Sequence, residues 1–168
     1  AAAGSQRSDR SRYLAAKASL ELAEPYWERF ELAKLNAPLQ VSMKVKKARM
    51  EEALDAYNAA AVYGVAEVTT VATYQVAEIY YQLSKDLMTS EKPAGLNNDE
   101  LEQYDILLEE QAFPFEEQAI EIYEVNVQRA ANGVYDQAVK GSYARLAELM
   151  PGRYSRSERT ESYASLTD

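Results

Sequence analysis

The sequence predicts an all-α protein built of long antiparallel helical hairpins, and three observations predict it. Apolar residues recur at steps of three and four along almost the whole chain. Strong helix breakers are scarce, six Gly and five Pro in 168 residues, and most fall between the periodic segments. The β-branched run Val68-Thr69-Thr70-Val71 sits inside a segment whose helical spacing continues on both sides, so length decides against a strand. A chain this long can bury roughly 70% of its extended surface, which suits one globular domain.

The elements follow in chain order. Ser8 and Asp9 are plausible caps for a first helix ending near Asn36, in which Leu14, Ala18, Leu22, Tyr26 and Phe30 define the expected buried face. Pro25 lies within it, where a kink or a fresh start is expected because proline removes one backbone donor. Pro38 suits the first turn of a second helix that runs to about Tyr63, with Leu39, Met43, Met50, Leu54, Tyr57 and Ala61 on one side. Gly64 stops it. The third helix carries Val65, Val68, Ala72, Val76, Ile79, Leu83 and Leu87, and the turn before it is so short that the two must lie antiparallel. Residues 89–98 read as a loop through Pro93 and Gly95. Asp99 can cap a fourth helix with Leu101, Tyr104, Leu108, Ala112, Phe115, Ala119, Ile122 and Val125 inward and a bend expected at Pro114. Asn132-Gly133 closes it, and a fifth helix spans roughly residues 135–150 before Pro151-Gly152. The domain is expected at 9–152, with a disordered start at 1–8 and a frayed, Ser/Thr-rich polar tail at 153–168.

Composition removes whole classes of function. There is no Cys and no His, so disulfides, thiolate chemistry, imidazole bases and the usual metal ligands are excluded. The net charge of −9 opposes binding to a nucleic-acid backbone. Charge is uneven: residues 1–50 hold 10 basic and 5 acidic side chains, residues 51–130 hold 3 and 17, and residues 131–168 hold 5 of each. No apolar run is long enough to span a membrane, and the start lacks the apolar core of a signal peptide. The first residue is Ala, as expected of a trimmed or processed chain.

The most conspicuous constellation is acidic. Between Glu91 and Glu124 stand eleven carboxylates and one Lys, and Glu110, Glu117, Glu121 and Glu124 share one helical stripe if Pro114 does not shift the register. Glu stripes in four-helix bundles hold metal pairs, but those sites also use Glu-x-x-His, which this chain cannot supply; a Ca²⁺ site of carboxylates alone is the remaining metal reading. Tyr81 and Lys85 match a dehydrogenase Tyr-x-x-x-Lys pair, yet the glycines are too scattered for a dinucleotide loop. Thirteen Tyr and Trp27 fit packing between helices or a partner interface better than base stacking. Lys44, Lys46, Lys47 and Arg49 form a basic cluster, read as a solvated face or an internal match for the acidic helix ahead of a patch for membrane lipid.

Helix pairs with Gly between them and Pro beyond suggest repeats. Against the 34-residue tetratricopeptide pattern, Ile122, Val125 and Ala138 fall on its apolar and small positions and Pro151 comes one residue late, whereas Asn126, Arg129 and Ser142 miss. The stretches Val65-Ala-Glu-Val-Thr-Thr, Ala77-Glu-Ile-Tyr-Tyr, Leu87-Met-Thr-Ser-Glu-Lys-Pro93, Glu100-Leu-Glu-Gln-Tyr104 and Leu107-Leu-Glu-Glu-Gln-Ala-Phe-Pro-Phe-Glu-Glu117 resemble the C-terminal helical region of large tetratricopeptide-repeat proteins of Gram-negative bacteria. Those accompany gliding-motility machineries and TonB-type energy-transducing systems, and the resemblance covers about residues 38–155. Members commonly carry His at the place of Tyr123 and Trp at that of Gln137. The resemblance implies a TPR-like scaffold, periplasmic or outer-membrane-associated, with no catalytic residues and no cofactor. Its expected partner is a protein, through a basic or amphipathic segment. Glu109, Glu110, Glu116 and Glu117 are the candidate docking carboxylates, with Phe113 and Phe115 divided between core and contact; in the plainer reading these carboxylates only solvate the helix. A carboxylate-based metal-dependent enzyme and a helical oligomerisation domain are the alternatives.

Overall fold

The computed structural model describes residues 9–155. Six helices follow one another: α1 (Asp9–Leu32), α2 (Leu39–Ala61), α3 (Ala66–Met88), α4 (Asn98–Gln128), α5 (Gln137–Leu149) and a single turn α6 (Pro151–Tyr154), with a 3₁₀ turn at Arg129–Asn132. No strand occurs among the described residues. The disordered start expected at 1–8 and the polar tail beyond residue 155 lie outside them.

Each long helix packs on the next, and α3 also touches α1 and α5. Direction follows from the pairs. Near the start of α2, Lys46 meets Asp86 near the end of α3, and Glu78 and Thr70 of α3 meet Tyr123 and Asn126 of α4 in reversed order, so these neighbours are antiparallel. Thr70 and Glu78 meet Asp136 and Arg145 in the same order, so α5 runs parallel to α3. The odd-numbered helices thus form one layer, with α2 and α4 in the other.

The α3 stripe is buried as expected at Val68, Ala72, Ile79, Leu83 and Leu87. Because α3 is central it buries a second side as well, at Thr70, Ala77 and Ser84. Gly64 takes φ +66 and Gly133 φ +81, the left-handed conformation in which a Cβ is unfavourable. The fourth helix starts two residues earlier than Asp99 would place it. Asn97 accepts from the Glu100 N–H at 3.0 Å while the Glu100 carboxylate takes the Asn97 N–H at 2.8 Å, a reciprocal cap that leaves Asp99 in the first turn.

The expected face of the first helix holds only at its end, where Phe30 is buried and Tyr26 packs against the core. Leu14, Ala18 and Leu22 are exposed, and Ala16, Leu20, Ala23, Trp27 and Phe30 point inward. Steps of four advance about 40° each around a helix, so Leu14 and Phe30 stand nearly opposite one another, whereas the alternating four-three steps of the observed set hold one side. The helix also ends at Leu32 rather than Asn36, and Leu35 turns into the core while its carbonyl accepts the Glu91 N–H at 3.1 Å. Pro25 and Pro114 interrupt neither helix. The carbonyls left without a helical donor belong to Glu21 and Glu110, both exposed residues.

Of the basic cluster, Lys46 is fully buried. Its ammonium donates to the Phe30 carbonyl at 2.6 Å, pairs with Asp86 at 2.6 Å and lies 4.0 Å over the Phe30 ring. Burial lowers its pKa despite the neighbouring Asp86 carboxylate. Arg49 is taken by Glu52 of its own helix, and only Lys47 reaches α4, at 5.6 Å over the Phe115 ring.

Candidate docking surfaces along helix α4

Two buried polar knots hold α4 in place. In the first, Arg145 of α5 grips the Glu78 carboxylate with both prongs, Nε to Oε1 at 2.7 Å and Nη2 to Oε2 at 3.0 Å, while the Tyr123 hydroxyl donates to Oε1 at 2.6 Å. The Tyr74 ring stacks tilted against Tyr123 at 5.9 Å. Burial pushes Glu78 upward, but hydrogen bonds from Arg145, Tyr123 and Tyr74 outweigh it and hold the carboxyl below its ordinary range. Burial first, then the Glu78 charge, pushes Tyr74 up to about 12.

In the second knot, Asn126 Nδ2 donates to the Thr70 carbonyl at 3.1 Å and to Ser142 Oγ at 3.0 Å. Thr70 Oγ1 bonds the Asp136 carboxylate, whose other oxygen caps α5 through the Val139 N–H at 3.0 Å. Arg129 reaches Thr73 Oγ1 at 3.3 Å. Asn126, Arg129 and Ser142, the positions that miss the repeat pattern, therefore tie α3, α4 and α5 together. The inward stripe of α4 runs straight through Leu108, Ala112, Ala119, Tyr123 and Asn126, and Val125, expected inside, is exposed.

With that side of α4 anchored, its first half is open on two others. Glu109, Glu110 and Phe113 stand together with Ile106 around a shallow depression of about 330 Å³. Phe113 is 54% exposed. Phe115, two residues on, lies on the opposite side of the helix against the main core. Glu116 is half-buried and Glu117 exposed, further along the helix from the depression. Glu121 is within reach of Gln118 at 3.4 Å, and Glu124 is engaged by Arg153 at 2.7 Å and the Tyr154 hydroxyl at 2.9 Å. The polar tail expected from residue 153 thus opens as the helical turn α6, fastened to α4. Among the described residues no group of three or more Asp, Glu, His or Cys stands close enough to hold a metal ion.

On the other open side lies a larger groove of about 810 Å³, which the sequence did not disclose. Pro38, Leu39 and Met43 of α2 and its approach face Tyr104, Leu107 and Leu108 of α4, with Pro93 and Ala94 closing one end. The signal available in the sequence was two Pro-containing loops, at 38 and 93, whose meeting at one end of the molecule depends on the antiparallel stacking. The Lys85 ammonium lies 5.2 Å over the Tyr81 ring, and the Arg145 guanidinium 4.9 Å from it. No helix of the described residues is long and apolar enough to cross a membrane. No family model, curated protein or solved structure matches the chain.

Proposed function

We propose that this chain is a non-catalytic protein-interaction module, part of a larger tetratricopeptide-repeat protein of the Gram-negative cell envelope, which docks a basic or amphipathic segment of an envelope complex on α4. The observation that carries the reading is the placement of Phe113 and Ile106, each about half exposed, between Glu109 and Glu110 on a helix whose inner side is fixed. Apolar side chains held in water beside carboxylates match a partner that presents apolar and cationic groups together. The apolar groove beside Leu107 extends the usable surface of the same helix. The periplasmic or outer-membrane location rests on the sequence resemblance, as does the tetratricopeptide assignment, which the alternating two-layer stacking of hairpins supports.

The test is recovery of a partner from a Gram-negative envelope extract by the immobilised chain and by a Glu109→Lys, Glu110→Lys, Phe113→Ser variant. Recovery by the native chain, lost in the variant at unchanged helix content and melting temperature and weakened by salt, is expected. Equal recovery by both chains refutes docking at this face.

A further inference from the structure

A different surface, on the first hairpin, carries a second set of observations. The helix α2 has an outward stripe as regular as its inward one. Val41, Val45, Ala48, Glu52, Asp55, Ala59 and Val62 alternate steps of four and three on the side away from Met50 and Tyr57. Val41, Val45 and Val62 are 64%, 52% and 85% exposed, and Leu22 of α1, beside Asp55 and Ala59, is 71% exposed. The face is concave: Ser19, Leu22 and Tyr26 of α1 with Asp55, Ala56 and Ala59 of α2 line a groove of about 440 Å³, and Arg12, Val62 and Tyr63 border another of about 560 Å³ further along. An apolar face of this extent on a helical hairpin calls for a cover.

Charge says which cover. The first half of α2 carries Lys44, Lys47 and Arg49, and the second half Glu51, Glu52 and Asp55. Lys44 and Asp55 make no ion pair among the described residues. We propose that this face binds a second copy of the same chain, with α2 antiparallel to α2 across a two-fold axis near the middle of the stripe. That arrangement sets Val41 and Val45 of one copy against Ala59 and Val62 of the other and brings Lys44 of each copy within reach of Asp55 of the other, while Arg49 and Glu52 keep their pair within each copy. A parallel pair would set like charges against like. The stripe is about 30 Å long at 1.5 Å per residue. Two helices about 10 Å apart make the face roughly 20 Å wide, so it offers on the order of 600 Å² per copy, the lower bound of what a specific dimer needs.

The mass of the chain in solution is the first test. Sedimentation equilibrium between about 1 and 200 μM should rise from 18.9 kDa to twice that value. Val41→Asp with Val45→Asp should abolish the rise with the circular dichroism unchanged, since both side chains are exposed. Asp55→Lys should weaken association at least about tenfold, and adding Lys44→Glu to it should restore most of the loss. Orientation is read by cysteines introduced into a chain that has none. In an oxidised equal mixture of Val41→Cys and Val62→Cys chains, mixed disulfides should dominate over homotypic ones. A monomer at about 200 μM, or crosslinks only between like positions, overturns the proposal. The first of those results would leave the face to a helix from a different chain.

Discussion

Replacing Arg145 with Met is the perturbation that best tests how the last helices are held. The guanidinium supplies two of the three hydrogen bonds at the Glu78 carboxylate, whose side chain is 13% exposed. Without it, the carboxylate keeps the Tyr123 hydroxyl but loses its counter-charge in a largely dry place. Stranding a fully buried charge costs about 3–5 kcal/mol. Arg145 is itself 30% exposed and shares Glu148, so we expect about 2–3 kcal/mol at pH 7. The converse change, Glu78→Leu, should cost less, because the guanidinium can turn to water and retains Glu148. The double variant Glu78→Leu, Arg145→Met should fall within about 1 kcal/mol of the native chain. Acid supplies an independent reading. In the native chain Glu78 is held below the ordinary range of a glutamate, so its stabilisation is complete above that range and is lost as pH falls through the folded value. In Arg145→Met, burial drives the same carboxyl upward, and protonating it relieves the strain. The difference between the two proteins in urea melts should therefore shrink to under about 1 kcal/mol near pH 4. An equal difference at pH 7 and pH 4, or one under about 0.5 kcal/mol at pH 7, would refute the reasoning.

Three further outcomes follow from the packing. Ile79→Ala and Leu83→Ala, both fully buried on α3, should each lower stability by about 2–5 kcal/mol in denaturant melts. Gly141→Ala should be net destabilising, since its Cβ would stand 2.8 Å from Tyr74 Cε2; in a Tyr74→Leu background the same change should instead stabilise by about 0.5–1 kcal/mol through helix propensity. Burial and then Glu24 push Tyr57 up to about 12, so its stabilisation is full below pH 10 and about 2–3 kcal/mol of it should be lost between pH 10 and 12. Lys46, whose pKa is lowered by burial, works in the opposite sense, so the alkaline loss is isolated by comparing the native chain with Tyr57→Phe in pH-dependent melts.

The helices were legible because they are long and their breakers are well placed: the α3 stripe and the turns at Gly64 and Gly133 could be read directly. Faces were legible only where large residues mark them. In α1 the inward positions include Ala16 and Ala23, which carry little apolar signal, while Leu14 and Leu22 carry much and face outward. Polar groups in the interior were read worst. Lys46 looked like part of a solvated cluster, and Asn126, Arg129 and Ser142 looked like defects in a repeat, because their partners lie between 16 and 56 residues away. The division of Phe113 from Phe115 was visible in their two-residue separation. The groove beside Leu107 was not, since no single segment contains it.

The stacking order has a consequence for how the chain reaches its native state. Among the described residues every substantial interface joins a helix to the next or the next but one, so none of these contacts joins distant parts of the chain. Closing such short loops costs little entropy, and folding on a timescale of roughly microseconds to milliseconds is expected. It also makes the molecule nearly one-dimensional in its energetics. A lesion in α5 reaches α1 mainly through α3, whose two buried sides couple the first hairpin to the last helices. Amide exchange should accordingly be slowest in α3 and quicken toward both ends, as cooperative units peel away from the outside.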